Sequence, residues 1–246
     1  MQQATKITYI TLLVIVMINM ISLNAFATSE QDAAPHSHQV DNLRLIDSKT
    51  IPHEQTYNKT KVGGISGITY NPKSNKWYLL SDDRSEHSPS RFYEANLNYN
   101  LRQFNDINIK NVNSLKQPNG SNYISKKQFS NKSKDIVADP ESIRFDPLTN
   151  NILYTSEGDR SLGLNPFIRF SNLNGDFISE LPINKSLKMD TQSKKGFRNN
   201  LAIEGSTFSV DGTSIWTSME APVIQDGPVP TADSGALSRI TQYDRR

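Results

Sequence analysis

The chain contains no cysteine, which removes disulfides, thiolate metal sites and cysteine nucleophiles together. Histidine is nearly as scarce, with four in 246 residues. Two of them, His36 and His38, fall in a polar N-terminal stretch. A Ser/His/Asp triad would therefore have to use His87, in SEHSPSR, and no histidine stands at a similar place elsewhere. No G-x-S-x-G elbow occurs, since Gly64-Ile65-Ser66-Gly67 lacks the last glycine in register, and there is no P-loop or dinucleotide fingerprint. A formal net charge of +2 is too small to argue for nucleic-acid binding. Carboxylate and metal chemistry is what survives these exclusions.

Long apolar runs are absent except at the start. Lys6 precedes a mostly apolar run from Ile7 to Leu23, followed by Ala25-Phe26-Ala27. Residues 1–27 therefore read as an export signal with a small-residue cleavage site rather than an anchor, with no stable membrane insertion once it is removed. Residues 28–39 read as a flexible arm, and 40–246 as the folded domain. The expected location is periplasmic or secreted. The alternation LRLIDSKTI, Leu43 to Ile51, predicts a short strand of the kind that completes the last blade of a closed propeller.

A hairpin pattern then occurs three times. It is clearest in DPESIRFDPLTNNILYTSEGDR, Asp139 to Arg160, which reads as strand, Asp-Pro turn, strand and acidic corner. Upstream, GISGITYNPKSNKWYLLSDDR puts Ser66-Gly67 where Glu141-Ser142 stand, Asn71-Pro72 where Asp146-Pro147 stand, and Ser81-Asp82 where Ser156-Glu157 stand. Downstream, IEGSTFSVDGTSIWTSME supplies Glu204-Gly205, a turn at Asp211-Gly212, and Ser218 before Glu220. The small residue and the serine are equally spaced in the first two copies and one residue closer in the third. Repetition of a two-stranded unit with turn chemistry fits propeller blades; the competing reading is three unrelated hairpins in a β-sandwich. The first two copies continue into further strand pairs, so the expected fold is all-β: a propeller of four-stranded antiparallel blades, incomplete here at about three blades plus an N-terminal strand. Trp77 and Trp216, on second strands, are expected to pack between blades.

In a meander the tight hairpins lie on one face, and the corner after strand two and the crossovers lie on the other. That face collects Asp82, Glu157 and Glu220 from the corners, with Glu141 and Glu204 entering from the innermost strands. These five acids are the candidate metal ligands, Ca²⁺ being the hard cation that suits them. Arg84, Arg160 and Arg198, with Glu141 and Glu204, are the candidate catalytic residues, although Arg84 and Arg160 also read as braces of their own corners. The first crossover, Asn108 to Ala138, holds six lysines against one aspartate. The second, Lys185 to Arg198, is also lysine-rich. Lys126, Lys127, Lys194 and Lys195 are candidates for meeting an anionic substrate, against the plainer reading of a solvated surface.

Together, GGISGITYNPKSNKWYLLSDDR, the SEGDR block, RNNLAIEGSTFSVDGTSIWTSMEAPVIQDGP and GALSRITQYD resemble the phytase-like domain, the "esterase-like activity of phytase" family of exported bacterial proteins, from about Val62 onward. The resemblance implies a β-propeller that hydrolyses phosphate or carboxylic esters. Members of that family are longer, so the sequence reads as C-terminally truncated within the third repeat. Three functions remain open: a metal-assisted hydrolase of small anionic phosphate esters, a lactonase or carboxylesterase, or a non-catalytic platform binding an anionic ligand or protein partner.

Overall fold

The computed structural model describes residues 43–190 and 192–245. The expected export signal and the whole of the arm lie outside the described residues. Strands are β1 (Thr56–Tyr57), β2 (Thr60–Lys61), β3 (Ile65–Asn71), β4 (Lys76–Ser81), β5 (Arg91–Tyr99), β6 (Phe104–Ser114), β7 (Pro140–Asp146), β8 (Asn151–Ser156), β9 (Phe167–Ser171), β10 (Phe177–Leu181), β11 (Ile203–Phe208), β12 (Ser214–Met219) and β13 (Ile240–Asp244). No α-helix occurs among the described residues; two 3₁₀ turns, Arg160–Leu162 and Ile224–Asp226, are the only helical pieces there. No helix of these residues is long and apolar enough to cross a membrane.

All pairing is antiparallel. The strands form a β1-β2 ribbon, two four-stranded meanders, β3-β4-β5-β6 and β7-β8-β9-β10, and a three-stranded sheet, β11-β12-β13. None of the sheets is closed on itself. The meander order follows from the turns. Asn71 and Asp146 each accept a backbone N–H two residues on, Lys73 at 3.0 Å and Leu148 at 3.1 Å, forming the side-chain-capped turns that reverse the chain between β3 and β4 and between β7 and β8.

Period-two alternation sends neighbouring side chains to opposite faces of each sheet. Tyr78 and Leu80 join Phe92, Ile143, Phe145, Ile152 and Tyr154 in one core between the first two meanders. Leu79, between them in sequence, turns the other way onto Val62, Tyr93 and Ala95. In the second meander, Leu153 faces away from Ile152 and Tyr154 and packs with Ile168, Ile203, Ile215 and Phe197 in a third cluster. The sheets are thus stacked with apolar layers between them.

The first strands of the sheets meet along their lengths, β7 in the middle. Gly67 of β3 lies so near β7 that a Cβ there would stand 3.0 Å from Ile143 N and 3.3 Å from Glu141 O. Ser66 Oγ donates to Pro140 O at 3.0 Å, and Phe145 N donates to Thr69 Oγ1 at 2.9 Å. On the other side of β7, Ser142 Oγ and Ser206 Oγ share a buried hydrogen bond of 2.7 Å. The small residues Gly67 and Ser142 of the first two repeats are therefore close-approach positions between sheets.

Three expectations are corrected. Leu43 to Ile51 is not a strand: Asp47 Oδ2 accepts the N–H of Phe104 at 3.0 Å, and Ile51 packs on the Val62 cluster, so residues 46–51 lie along the first meander. In the third copy the residue opposite the strand start is Met219, not Ser218, because Ile65 pairs with Ser81, Pro140 with Ser156 and Ile203 with Met219. Trp77 lies tilted against Tyr70 and edge-on to Tyr99 of its own sheet and Trp216 is exposed, so neither fills a space between sheets.

Candidate functional site

Each first strand carries one extra residue near its start. The register slips between Ile65 and Gly67, between Pro140 and Ile143, and between Ile203 and Gly205. A bulge of this kind re-aims a side chain out of the ladder. The residues so released are Ser66 in the first copy, Glu141 with Ser142 in the second, and Glu204 in the third. Immediately outside each bulge the hairpin is closed by one backbone bond in all three copies: Asp82 N to Gly64 O at 2.8 Å, Glu157 N to Asp139 O at 3.0 Å, and Glu220 N to Ala202 O at 2.8 Å. The bulge residue and the corner acid of a copy are therefore held beside each other by backbone geometry alone.

In the second and third copies both positions are acidic, and the two mouths adjoin. Asp139, Glu141 and Glu157 offer carboxylate oxygens all within 4.8 Å of one another, and so do Glu157, Glu204 and Glu220. Glu157 belongs to both sets. The cluster runs from interior to surface: Glu157 is 1% and Asp139 4% exposed, Glu141 and Glu204 are half-buried, and Glu220 is exposed. Two hydroxyl and glycine details fix the inner end. Ser156 Oγ accepts the N–H groups of Asp139 at 2.9 Å and Gly158 at 3.2 Å. Gly158 has a φ of 72°, and a Cβ there would lie 2.5 Å from Leu164 O, so only glycine makes this corner.

The electrostatics are unfavourable for five bare carboxylates. Burial pushes Glu141 up to about 9, reinforced by Glu204, Asp139, Glu157 and Asp82. Burial likewise takes Glu157 to about 7, opposed by the Ala202 N–H that bonds its Oε1 and reinforced by Glu204, Asp139 and Glu220. Asp139 is raised to about 6, by burial against the pull of Arg84, and Glu204 is raised by burial and then by Glu220. Two oxygens at the inner end are buried without a hydrogen-bond partner, Glu157 Oε2 and Asp139 Oδ2, although the latter lies 3.3 Å from Arg84 Nη1. An unmet buried oxygen costs about 1–3 kcal/mol. An all-carboxylate set with oxygens this close matches a hard divalent cation, whose ligands at about 2.4 Å place opposed oxygens up to about 5 Å apart. The residues present therefore fit such an ion.

The other candidate residues divide. Asp82 lies outside both sets. Its Oδ1 sits where a Cβ of Gly64 would be, and it lines a separate recess of about 380 Å³ with His53, Asp83, His87 and Arg91. Arg84 links two corners, pairing with Asp159 at 2.6 Å and Asp139 at 3.3 Å. Arg160 Nη1 donates to the carbonyls of Lys195 (3.1 Å) and Phe197 (2.9 Å). Arg198 Nε donates to Pro222 O at 3.0 Å, and its Nη2 bonds Gly227 O. Both of these arginines are thus committed to backbone. Lys126 Nζ reaches Asp159 Oδ2 at 3.2 Å and Ser161 Oγ at 2.9 Å, whereas Lys127, Lys194 and Lys195 are exposed. Burial works against the ionised form of Asp159, but Ser161, Lys126 and Arg84 outweigh it and hold the carboxyl low. The residue the sequence reading did not single out is Asp139; its signal is its place directly before Pro140-Glu141, facing the corner acid across the mouth.

No curated protein matches the chain. Among solved structures, hydrazine synthase of Kuenenia stuttgartiensis aligns at 12% identity with a TM-score of 0.31, covering 78% of this chain and 66% of that one. The chain thus spans just under two thirds of that structure, and the likeness is too distant to bear on fold or activity. The sequence profile described as "Phytase-like: Esterase-like activity of phytase" matches residues 60–246, the span that holds every sheet except the β1 strand. With the repeated mouths and their acids lying inside that match, the chain belongs to the phytase-like, esterase-like-activity-of-phytase family.

Proposed function

We propose that this is an exported, cation-assisted hydrolase of phosphate esters, built as part of a β-propeller in which the three larger sheets are successive blades around a common axis. What supports the blade reading is that β3, β7 and β11 lie side by side while the later strands of each sheet run outward in order. What carries the functional reading is the carboxylate cluster at the mouths of the second and third copies, with the buried Glu157 Oε2 that no donor meets. A divalent cation bound there supplies polarisation of a phosphoryl oxygen and acidification of a bound water.

The chain's own residues account for access and charge. Glu220 is the exposed member, so an ester reaches the cluster past it. Glu204, half-buried beside Glu220 with its carboxyl raised by burial, is a ligand at the outer end of the cluster. Arg84 holds Asp139 in place rather than meeting substrate. Lys127, Lys194 and Lys195 on the flanking crossovers offset the acids and draw in an anionic ester. Lys126, tied to Asp159, keeps the first crossover against the second corner. Turnover of p-nitrophenyl phosphate and phytate, measured with Ca²⁺ and with EDTA, tests this. The expected result is hydrolysis that EDTA abolishes and Glu157→Gln reduces at least 100-fold, about 2.7 kcal/mol. Absence of phosphoester turnover under every metal condition overturns it; cleavage of only carboxylic esters or lactones moves the assignment to that ester class.

A further inference from the structure

We propose that the cluster holds two divalent cations side by side, bridged by Glu157, rather than one. The inference deepens the cation-assisted reading above and rests on it. Five carboxylates form two sets of three, and the overlap between the sets is the single side chain of Glu157. A cation in the inner set takes Asp139, Glu141 and Glu157; one in the outer set takes Glu157, Glu204 and Glu220. The backbone explains why the bridge falls on this residue. Glu157 closes the mouth of the second copy through its N–H to Asp139 O, while its own Oε1 accepts the N–H of Ala202 at the mouth of the third. It is therefore fastened to both hairpins at once.

An independent observation points to ligands at this place. Glu157 is 1% exposed and its Oε2 has no hydrogen-bond partner; Asp139 is 4% exposed and its Oδ2 has only the 3.3 Å ion pair with Arg84. Burying the Glu157 oxygen unmet is costly, and both atoms belong to the inner set. Charge points the same way. Five carboxylates face one guanidinium, Arg84, which is itself shared with Asp159. One divalent ion leaves the group with net negative charge in a largely buried setting, and a second offsets more of it.

The two positions differ. The inner one is walled by Asp139 and Glu157 and fixed by Arg84 and Ser156. The outer one opens past Glu220. The inner ion is accordingly the slowly exchanging one, and the outer the one that meets water and substrate phosphate.

Stoichiometry and coupling test this without substrate. Titration of the chelator-treated protein with Ca²⁺ by calorimetry is expected to give two ions per chain. Glu220→Gln, an exposed position that leaves the folded core untouched, is expected to reduce the count to one. Asp139→Asn is expected to spare the outer ion and weaken the first binding step at least tenfold. Loaded with Mn²⁺, the wild-type protein is expected to give the electron paramagnetic resonance signature of an interacting pair, and Glu220→Gln the six-line signal of an isolated ion. Saturation at one ion, an unchanged count in Glu220→Gln, or two Mn²⁺ ions without interaction overturns the proposal. Two bound ions with no ester turnover would overturn the hydrolase reading and leave the pair standing.

Discussion

Replacing Gly67 by alanine adds one methyl group where β3 presses on β7. The new Cβ would stand 3.0 Å from Ile143 N, 3.1 Å from Ile143 Cγ2 and 3.3 Å from Glu141 O. Two of these atoms are backbone and the third is on a β-branched side chain in a core, so none can rotate away. The backbone of Gly67 itself lies outside the left-handed region, so the cost is steric. Overpacking of this kind costs about 1–3 kcal/mol, while glycine-to-alanine exchange returns about 0.4–1 kcal/mol by restricting the unfolded chain. The net loss is therefore about 1–2 kcal/mol, or ~2–8 °C in Tm for a domain of this size. Gly63→Ala is the internal comparison, because nothing lies within 4 Å of its added Cβ. That variant keeps only the unfolded-chain gain, and its Tm is expected to stay level or rise by ~1–4 °C. Thermal melts of both variants by circular dichroism, in EDTA, decide the matter. The shift in Gly67→Ala also moves Glu141, so its first Ca²⁺ affinity is expected to fall several-fold while that of Gly63→Ala holds. A Gly67→Ala protein that melts with or above Gly63→Ala would refute the side-by-side packing of the first strands, and with it the convergence of the acids.

Further outcomes follow from the same geometry. With metal removed, Glu141, Glu157 and Asp139 are raised to about 9, 7 and 6, so the folded state holds more protons than the unfolded one between pH 4 and 9. The contribution of these three carboxyls is then full below pH 4 and lost as the pH rises through these values; even discounted for solvent screening to about 2 kcal/mol in all, that is ~4–8 °C between pH 5 and 9, and saturating Ca²⁺ should flatten the slope. Ser142→Ala leaves the buried Ser206 hydroxyl unmet and is expected to cost about 1–3 kcal/mol in urea melts, with the Ser142→Ala/Ser206→Ala pair costing less than the sum of the singles. Arg245→Met strands the fully buried Asp146, which it grips through two contacts of 3.2 and 2.5 Å, at about 3–5 kcal/mol. Asp146→Asn added to Arg245→Met should recover part of that loss. Burial opposes the ionised Asp146, but Arg245, Thr149 and the Leu148 N–H outweigh it and hold the carboxyl low. Its contribution is thus present at neutral pH and lost as the pH falls through the depressed value, so the wild type should lose more stability on acidification than the double variant.

The local parts of this structure were legible in the sequence because local rules write them. Asn71-Pro72 and Asp146-Pro147 announce their turns, alternation at Tyr78-Leu79-Leu80 and Ile152-Leu153-Tyr154 announces two-faced strands, and repetition announces a common unit. Glu141, Glu157, Glu204 and Glu220 could be placed near one another because the second and third copies carry them at one end of the unit. What depended on pairing was hidden. The bulge that aims Glu141 and Glu204 exists only in the register between two strands, and the one-residue slip of Met219 against Ser218 is the same register seen from the other side. Asp139 looked like a residue of the crossover until the Glu157 N–H set it across the mouth. Asp82 matched the pattern, yet Ser66 in place of a glutamate and Gly64 in place of an acid left it outside both three-carboxylate sets. Arg160 and Arg198 are charged residues spent on carbonyls of distant loops, a choice that no short stretch records.

The three backbone bonds across the mouths have a consequence for how such a repeat can change. They fasten the hairpin through groups that every residue possesses, and the bulge frees its occupant from any duty to the ladder. A serine stands there in one copy and a glutamate in two, with the same closure beneath. Chemistry at that spot is therefore interchangeable while the scaffold stays indifferent, so a copied module can gain or lose a binding group by one substitution without refolding.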